Sequence, residues 1–448
     1  MTRSVQADGK VVYTQTSLTR EQKEAVGLLS IGTILEYFDL MLYVHMAVLL
    51  NELFFEPTNP ESAGFMTAIA FCSSFVFRPV GAVIFGWLGD NFGRKTTIVI
   101  TTFLMALSCI MMAILPTYAQ IGFAATVGVT LCRIVQSISS MGEVVGAKLY
   151  LTELLSPPIQ YPVVTLIQAF AAFGGLLALG VATIVTSLGF DWRNAFWIGA
   201  IVAFIGSLAR TRLRETPDFA DAKLRVKNSI EQCGGNPDLI DSDPIVLEKV
   251  NYKTAISLFL MDLIQPVSFY FTFVHCSGIL KSIFHYSAAE IIRQNVIVSI
   301  FDCLGFVAIG WLSYYINPLL ILRFRVALFS IIILICPIWL NNISSPTELF
   351  FTQSIVIFFA LSPNPACSML FKRFPVFKRF TYTSMSFALS RSMMYAVTAF
   401  GMMYLTDNFG NYGLLIIMLP ATIAFALGLS HFRNLEKQDE IYNPKVLV

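Results

Sequence analysis

Apolar stretches long enough to cross a bilayer recur along the whole chain, separated by short polar breaks. A spanning helix needs about 20 mainly apolar residues. Runs of that kind lie at about 26–50, 62–88, 96–115, 120–147, 161–188, 194–211, 254–280, 289–312, 323–341, 348–371, 381–404 and 412–432. One long polar stretch interrupts the series at 212–253. Its Gly-Gly pair, prolines and charges read as a linker carrying a short surface helix. The pattern predicts an all-α membrane protein of twelve transmembrane helices in two pseudo-symmetric six-helix bundles. The expected boundaries are a tail (1–25), a first bundle (26–211), a linker (212–253), a second bundle (254–432) and a tail (433–448). The polar start of the chain has no apolar core of its own, so no cleaved leader is expected and the first run serves as the insertion signal.

Lysine and arginine give the runs a direction. They cluster before the first run, after every even-numbered run except the fourth, and in the linker, whereas 51–61, 116–119, 342–347 and 405–411 contain neither. By the positive-inside rule both termini are expected on the cytoplasmic side. The halves also share a sequence. The segment from Phe77 to Asp90, FRPVGAVIFGWLGD, aligns with Phe301 to Tyr314, FDCLGFVAIGWLSY, half the chain further on. Both contain the Gly-Trp-Leu triplet and close the second span of their half. Duplicated halves suit a protein whose two bundles rock about a central site.

Composition narrows the class. The chain is 56% hydrophobic and 13% charged, with a net charge of +2, against roughly 25% charged in a soluble domain. Nothing in this balance calls for a nucleic-acid partner. The cysteines read as small apolar packing residues, the four histidines lack metal-ligand spacing, and no phosphate-binding Gly-rich loop or catalytic triad order is present. An enzyme, a metal site and a bound cofactor are therefore not expected.

After the second span comes Gly86-Trp87-Leu88-Gly89-Asp90-Asn91-Phe92-Gly93-Arg94-Lys95. Asp90 ends a helix in a tight turn, where it can pair with Arg94 and with the positive N-terminus of a neighbouring helix; Gly93 permits a positive φ. This loop resembles that of the major facilitator superfamily. Further segments resemble its metabolite:proton symporter branch: Gly32 to Tyr43, Arg78-Pro79-Val80-Gly81, Arg133 to Gln136 followed by Gly142-Glu143 and Glu153, Trp192-Arg193, Arg214 to Phe219, and Phe374-Pro375 with Lys378-Arg379-Phe380. The resemblance implies proton-coupled uptake of compounds such as proline, betaine, dicarboxylates or shikimate, with the proton gradient as the driving force. The chain departs from the pattern at Asn91, Ser137 and Met141, and its second-half turn, Ser313 to Pro318, lacks the Asp and the Gly-Arg.

Seven charges fall inside predicted spans: Glu36, Asp39, Arg78, Arg133, Asp262, Asp302 and Arg391. Each costs roughly 2.5–3.5 kcal/mol to insert. A carboxylate can avoid that cost by taking up a proton, which is what a proton symporter exploits. Glu36, Asp39, Arg133, Asp262, Asp302 and Arg391 are therefore the candidates for binding substrate or proton. Glu36 and Asp39 lie three apart on one helical face, and the resemblance puts Arg133 near them. Arg78, Asp90, Gly93, Arg94, Lys95, Glu143 and Glu153 are expected to gate the cytoplasmic side. The expected protein is a monomeric symporter in the bacterial inner membrane, contacting a small solute and membrane lipids. An uncoupled facilitator or channel, or a transporter-derived sensor, is the alternative.

Overall fold

The computed structural model describes residues 2–5, 11–46, 50, 53–55, 75–188, 191–232 and 244–442. Most of the loop 51–61, the first half of the run 62–88 and linker residues 233–243 lie outside the described residues. Among the described residues the chain is all-α apart from an antiparallel ribbon at its start, β1 (Thr2–Val5) and β2 (Val11–Thr14), which pairs Thr2 with Thr14.

The first half comprises α1 (Arg20–His45), α2 (Arg78–Asn91), α3 (Arg94–Ile114), α4 (Phe123–Leu154), α5 (Gln160–Leu188) and α6 (Arg193–Arg210). The linker carries α7 (Pro217–Gln232). In the second half the first span is broken into α8 (Tyr252–Asp262), α9 (Ile264–Tyr270), a π turn at Phe271–His275, and α10 (Cys276–Ser282). There follow α11 (Ala288–Tyr315), α12 (Pro318–Asn341), α13 (Pro346–Phe359), α14 (Cys367–Phe371), α15 (Val376–Phe409) and α16 (Gly413–Tyr442).

Nine stretches of the described residues are long and apolar enough to cross a membrane, and the last of them runs from α15 through α16. Two spans fall short of that measure: α2 has only 14 described residues, and α6, at 18 residues with an arginine at each end, is not apolar enough. Resolved into separate helices, the spans number twelve in six-plus-six order. The run expected to be continuous at 348–371 is two helices. Ser362-Pro363-Asn364-Pro365 cannot sustain α-helical hydrogen bonding, so α13 stops at Phe359 and α14 starts at Cys367. Arg325 fills the break by donating to the carbonyls of Phe358 (3.2 Å) and Ala360, a cation at a helix C-terminus.

Large apolar side chains cover much of the outside, including Trp87, Phe103, Ile205, Trp311, Phe324 and Met403, each more than half exposed. Apolar surface on this scale matches hydrocarbon rather than water. Inside, one apolar cluster runs from Leu29 and Val144 in the first half to Leu258, Leu370 and Phe425 in the second.

The internal repeat is visible in the packing. A Cβ on Gly81 would strike the Ile138 backbone of α4, and its counterpart Gly305 faces Phe358 of α13. Gly86 lies against Thr381 of α15, and its counterpart Gly310 faces Pro162 and Thr165 of α5. Equivalent glycines thus make equivalent contacts, first within a half and then across the seam between halves.

Candidate functional site

The seam is tied at the end where α2 meets α3, the end rich in Lys and Arg. Both oxygens of Asp90 accept backbone N–H groups from the first turns of α15, Phe380 and Thr381, each at 2.9 Å. Gly86 and Gly89 make that approach possible, since a side chain at either would collide with Thr381 or Phe380. Arg94 lies 3.7 Å from Asp90 and donates to the Val376 carbonyl at 2.7 Å. Its guanidinium also grips Glu153 with two bonds of 2.9 Å. Glu153 in turn accepts from Arg379 (2.9 Å) and Thr216 (2.6 Å). Glu215 caps α3 by accepting from the Arg94 and Lys95 backbones, and only glycine fits at position 93, with φ 111° and the Glu215 carboxylate where a Cβ would stand. Asp218 completes the cluster at 3.3 Å from Arg379. Burial and the neighbouring Glu153 push the Asp218 carboxyl above the usual aspartate range, against the pull of Arg379 and Lys372.

Two small cavities lie deeper, the first among α1–α4 of the first half and the second in the seam between the halves. The first, about 10 Å³, is lined by Glu36, Asp39, Arg78, Arg133, Gln136 and Ser137 among others. The second, about 20 Å³, is lined by Lys148, Asp262, Gln265, Asn364, Cys367 and Phe387 among others. Each has room for roughly one water, and around the second the two halves are closed on Lys148 and Asp262. On the side away from Asp90, Phe75 stacks on Tyr395 at 4.0 Å and Phe269 packs on Tyr395 at 6.2 Å.

In the first cavity Asp39 and Arg133 are joined through an amide. Arg133 donates to Gln136 Oε1 (2.9 Å), and Gln136 Nε2 donates to Asp39 Oδ1 (3.0 Å). Cys109 also approaches Asp39 at 3.2 Å, and the Arg133 guanidinium lies over the Tyr43 ring at 3.8 Å. Glu36 is held differently. It faces Arg78 at 3.6 Å, both are buried, and neither Glu36 oxygen accepts a hydrogen bond from a described residue.

The placement of several candidates differs from the expectation. Arg78, expected with the gating residues, begins α2 about three turns from Asp90 and belongs to the Glu36 cavity. Glu143, also expected at the gate, is enclosed within the first half by Arg210, Thr101 and Thr102. Arg210 reaches the Leu28 and Leu29 carbonyls of α1 as well, through the space left by Gly32. Asp302 lines neither cavity, and its charged neighbour is Arg325 at the α13 break. Asp262 and Arg391 lie with the second cavity: Ser386 donates to Asp262 (3.3 Å), and Arg391 donates to Gln265 (2.7 Å) while stacking on Phe387 (3.5 Å).

Reading the sequence did not single out Arg210 or Lys148, and it gave Glu215 and Arg379 no role beyond their place in family-like segments. Arg210 and Arg379 stand at span ends, where a cation ordinarily reaches for the interface. Lys148 sits two turns from the end of α4 in the same disguise. The signal that could have found its surroundings is the Pro-Asn-Pro triplet at 363–365, because irregular backbone at membrane depth is tolerated where it lines a cavity.

Two helical bundles related by a repeat, closed over buried charges at their seam, are the architecture of an alternating-access carrier. The chain belongs to the Major Facilitator Superfamily, whose sequence profile matches residues 29–385; its members are transporters, not enzymes. It is 27% identical over 276 residues to the proline/betaine transporter of Salmonella typhimurium, covering 59% of this chain and 54% of that one. The matches span about half the length of the curated relatives. Among solved structures, a double-tryptophan variant of XylE superposes with a TM-score of 0.75 at 15% identity, covering 92% of this chain and 98% of that one. The inward-open form of the xylose transporter XylE from E. coli gives 0.61 at 17% identity, over 90% and 94%. These likenesses establish the fold.

Proposed function

We propose that this protein is a proton-coupled symporter of a small carboxylate-bearing solute, a zwitterion such as proline or betaine or an organic acid. In this reading it lies in the bacterial inner membrane with both termini cytoplasmic, and the Asp90 end is the cytoplasmic gate. The observation that carries the coupling is the Glu36–Arg78 pair: buried, 3.6 Å apart, with neither Glu36 oxygen hydrogen-bonded among the described residues. A buried carboxylate so weakly held is the one that a proton can neutralise with the least loss. Asp39, with donors from Gln136 and Cys109, has more to lose.

Charge balance supports a carboxylate-bearing solute. Arg78, Arg133, Lys148 and Arg391 oppose Glu36, Asp39 and Asp262 around the two cavities. Four cations against three carboxylates leave one positive charge, and neutralising Glu36 adds another. The carboxylate of an organic acid returns the net to one positive charge, and a zwitterion presents its carboxylate to the same excess; return of the proton on the far side releases the solute. The ionic cluster at the Asp90 end must break for that release.

The test is uptake of L-proline and glycine betaine into proteoliposomes, with and without an inward proton gradient. Glu36→Gln is expected to keep solute exchange and to lose gradient-driven accumulation. Accumulation in that variant equal to wild type would place the coupling elsewhere.

A further inference from the structure

The second cavity contains a cation with no charged partner among the described residues. Lys148 is 4% exposed. Its Nζ donates to Gln168 Oε1 on α5 at 2.9 Å and to Asn364 Oδ1 at the α13–α14 break at 2.6 Å. No described carboxylate comes within ion-pair distance of it. An ammonium has three donors, so two neutral amide oxygens leave one unused. Nearby, Arg391 spends Nη2 on Gln265, and its buried Nη1 has no hydrogen-bond partner among the described residues. Asp262 lines the same cavity and accepts a hydrogen bond from Ser386.

A buried cation held only by neutral acceptors is a costly arrangement. A carboxylate oxygen is a better acceptor than an amide oxygen and removes that cost. The strut also crosses the seam, from α4 in the first half to the break in the second. Separating the halves strips Asn364 from Lys148 and uncovers the ammonium; closing them around a solute lets its carboxylate bridge the same gap.

We propose that Lys148, facing Asn364, is the carboxylate-recognition residue for the solute, in a cavity distinct from the Glu36–Arg78 pair. Arg391 Nη1 supplies a second donor, and Asp262 faces the cationic end when the solute is a zwitterion. This assignment rests on the symport reading above and divides its labour: the proton is handled in the first cavity and the solute in the second. Arg133, tied to Gln136 and stacked on Tyr43, holds Asp39 rather than the solute.

The experiment is L-proline counterflow in proteoliposomes containing the full chain, with L-proline methyl ester as a competitor that lacks the carboxylate charge. Wild type is expected to prefer proline to the ester. A charge-assisted bond contributes roughly 1.5–3 kcal/mol, so Lys148→Gln should raise the KM for proline at least about tenfold. It should bring the proline-to-ester preference close to one, while the stimulation of saturating uptake by a proton gradient survives. Lys148→Arg should retain the preference. A merely structural strut would lower the rate without changing the preference. If Lys148→Gln moves nothing, equilibrium binding of L-proline to the purified variant decides: wild-type affinity overturns the proposal, and a loss that Lys148→Arg restores supports it. An unchanged preference in Lys148→Gln, with gradient-driven proline accumulation intact, overturns the Lys148 assignment alone. Wild-type accumulation of an uncharged sugar such as xylose, with no carboxylate-bearing solute moved, overturns the symport reading and this inference together.

Discussion

The two copies of the repeated segment end in opposite ways. In the first, Gly86 brings α2 so close to α15 that an added Cβ would lie 2.7 Å from the Thr381 Cα. Asp90 then bonds the start of α15, and Arg94, Glu153 and Arg379 knit around it. In the second, Gly310 leaves 3.6 Å to the Pro162 carbonyl, an ordinary contact. Tyr314, in the place of Asp90, packs on Tyr315 and brings no charge. The turn after it is closed by Asn317, which caps α12 and accepts support from Glu436 by donating to it at 2.7 Å. One side of the pseudo-two-fold is an ionic clamp and the other is van der Waals packing. Opening at the Asp90 end therefore has to begin, energetically, at α2–α15.

The largest break in this comparison should come from Glu153→Gln. It leaves Arg94 and Arg379 buried without their shared carboxylate. Removing one partner of a buried pair costs about 3–5 kcal/mol, and here two cations lose their closest carboxylate, keeping only Asp90 at 3.7 Å and Asp218 at 3.3 Å. The purified variant is expected to unfold at a clearly lower temperature and to expose the Asp90 end to thiol reagents through a cysteine introduced at Thr381. Wild-type thermal stability together with wild-type protection would show that the clamp is not where the halves are held.

Asp90→Asn should come next. Asparagine keeps one acceptor oxygen but loses the charge that serves both the α15 N-terminus and Arg94. Transport is expected to slow about tenfold, in line with loss of charge-assisted bonds worth about 1.5 kcal/mol or more, while Tyr314→Phe changes it less than twofold. Equal effects of the two substitutions would mean that the halves are clamped alike. A subtler version uses glycines: Gly86→Ala must push α15 away, whereas Gly310→Ala fits the existing space. Only the first should lower stability, by about 1–3 kcal/mol for an overpacked contact; a matching loss at Gly310 would contradict the looser seam.

Much of this asymmetry was legible in the residues. The loop Gly86 to Lys95 announces a charged turn with a positive-φ glycine, and the loss of Asp and Gly-Arg from Ser313 to Pro318 announces its absence in the second half. The spans and the shared helical face of Glu36 and Asp39 follow from periodicity alone. The partners do not. Lys148 meets Asn364 216 residues away, and Arg210 meets Glu143 across 67. Local pattern carries no information about which helix faces which at such separations. Arg78 and Glu143 were misplaced for the same reason: depth along a helix was readable, but the direction of each side chain around its axis was not.

The smallest expected effect concerns pH and Asp218, which joins the clamp from the linker. Its carboxyl is raised above the ordinary aspartate range by burial first and by Glu153 second, with Arg379 and Lys372 pulling the other way. A group whose pKa is raised by folding contributes stability that is full below its unfolded value and is lost as pH rises through the folded one. Acidification from neutral pH into that range should therefore tighten the clamp, and neutral pH should leave it looser. Lys372, lowered by burial, weakens the fold as pH falls through its own folded value, but an ammonium does so on the alkaline side of the aspartate window. The two do not overlap in the acid range. Asp218→Asn mimics the protonated form. It should unfold at or slightly above the wild-type temperature at neutral pH, and the difference should close as both are acidified. The half-exposed setting of Asp218, with its side chain 40% accessible, keeps the shift small. Melting curves of the two proteins at a series of pH values measure it directly. Parallel curves, with a constant offset or none, would show that Asp218 does not titrate within the clamp.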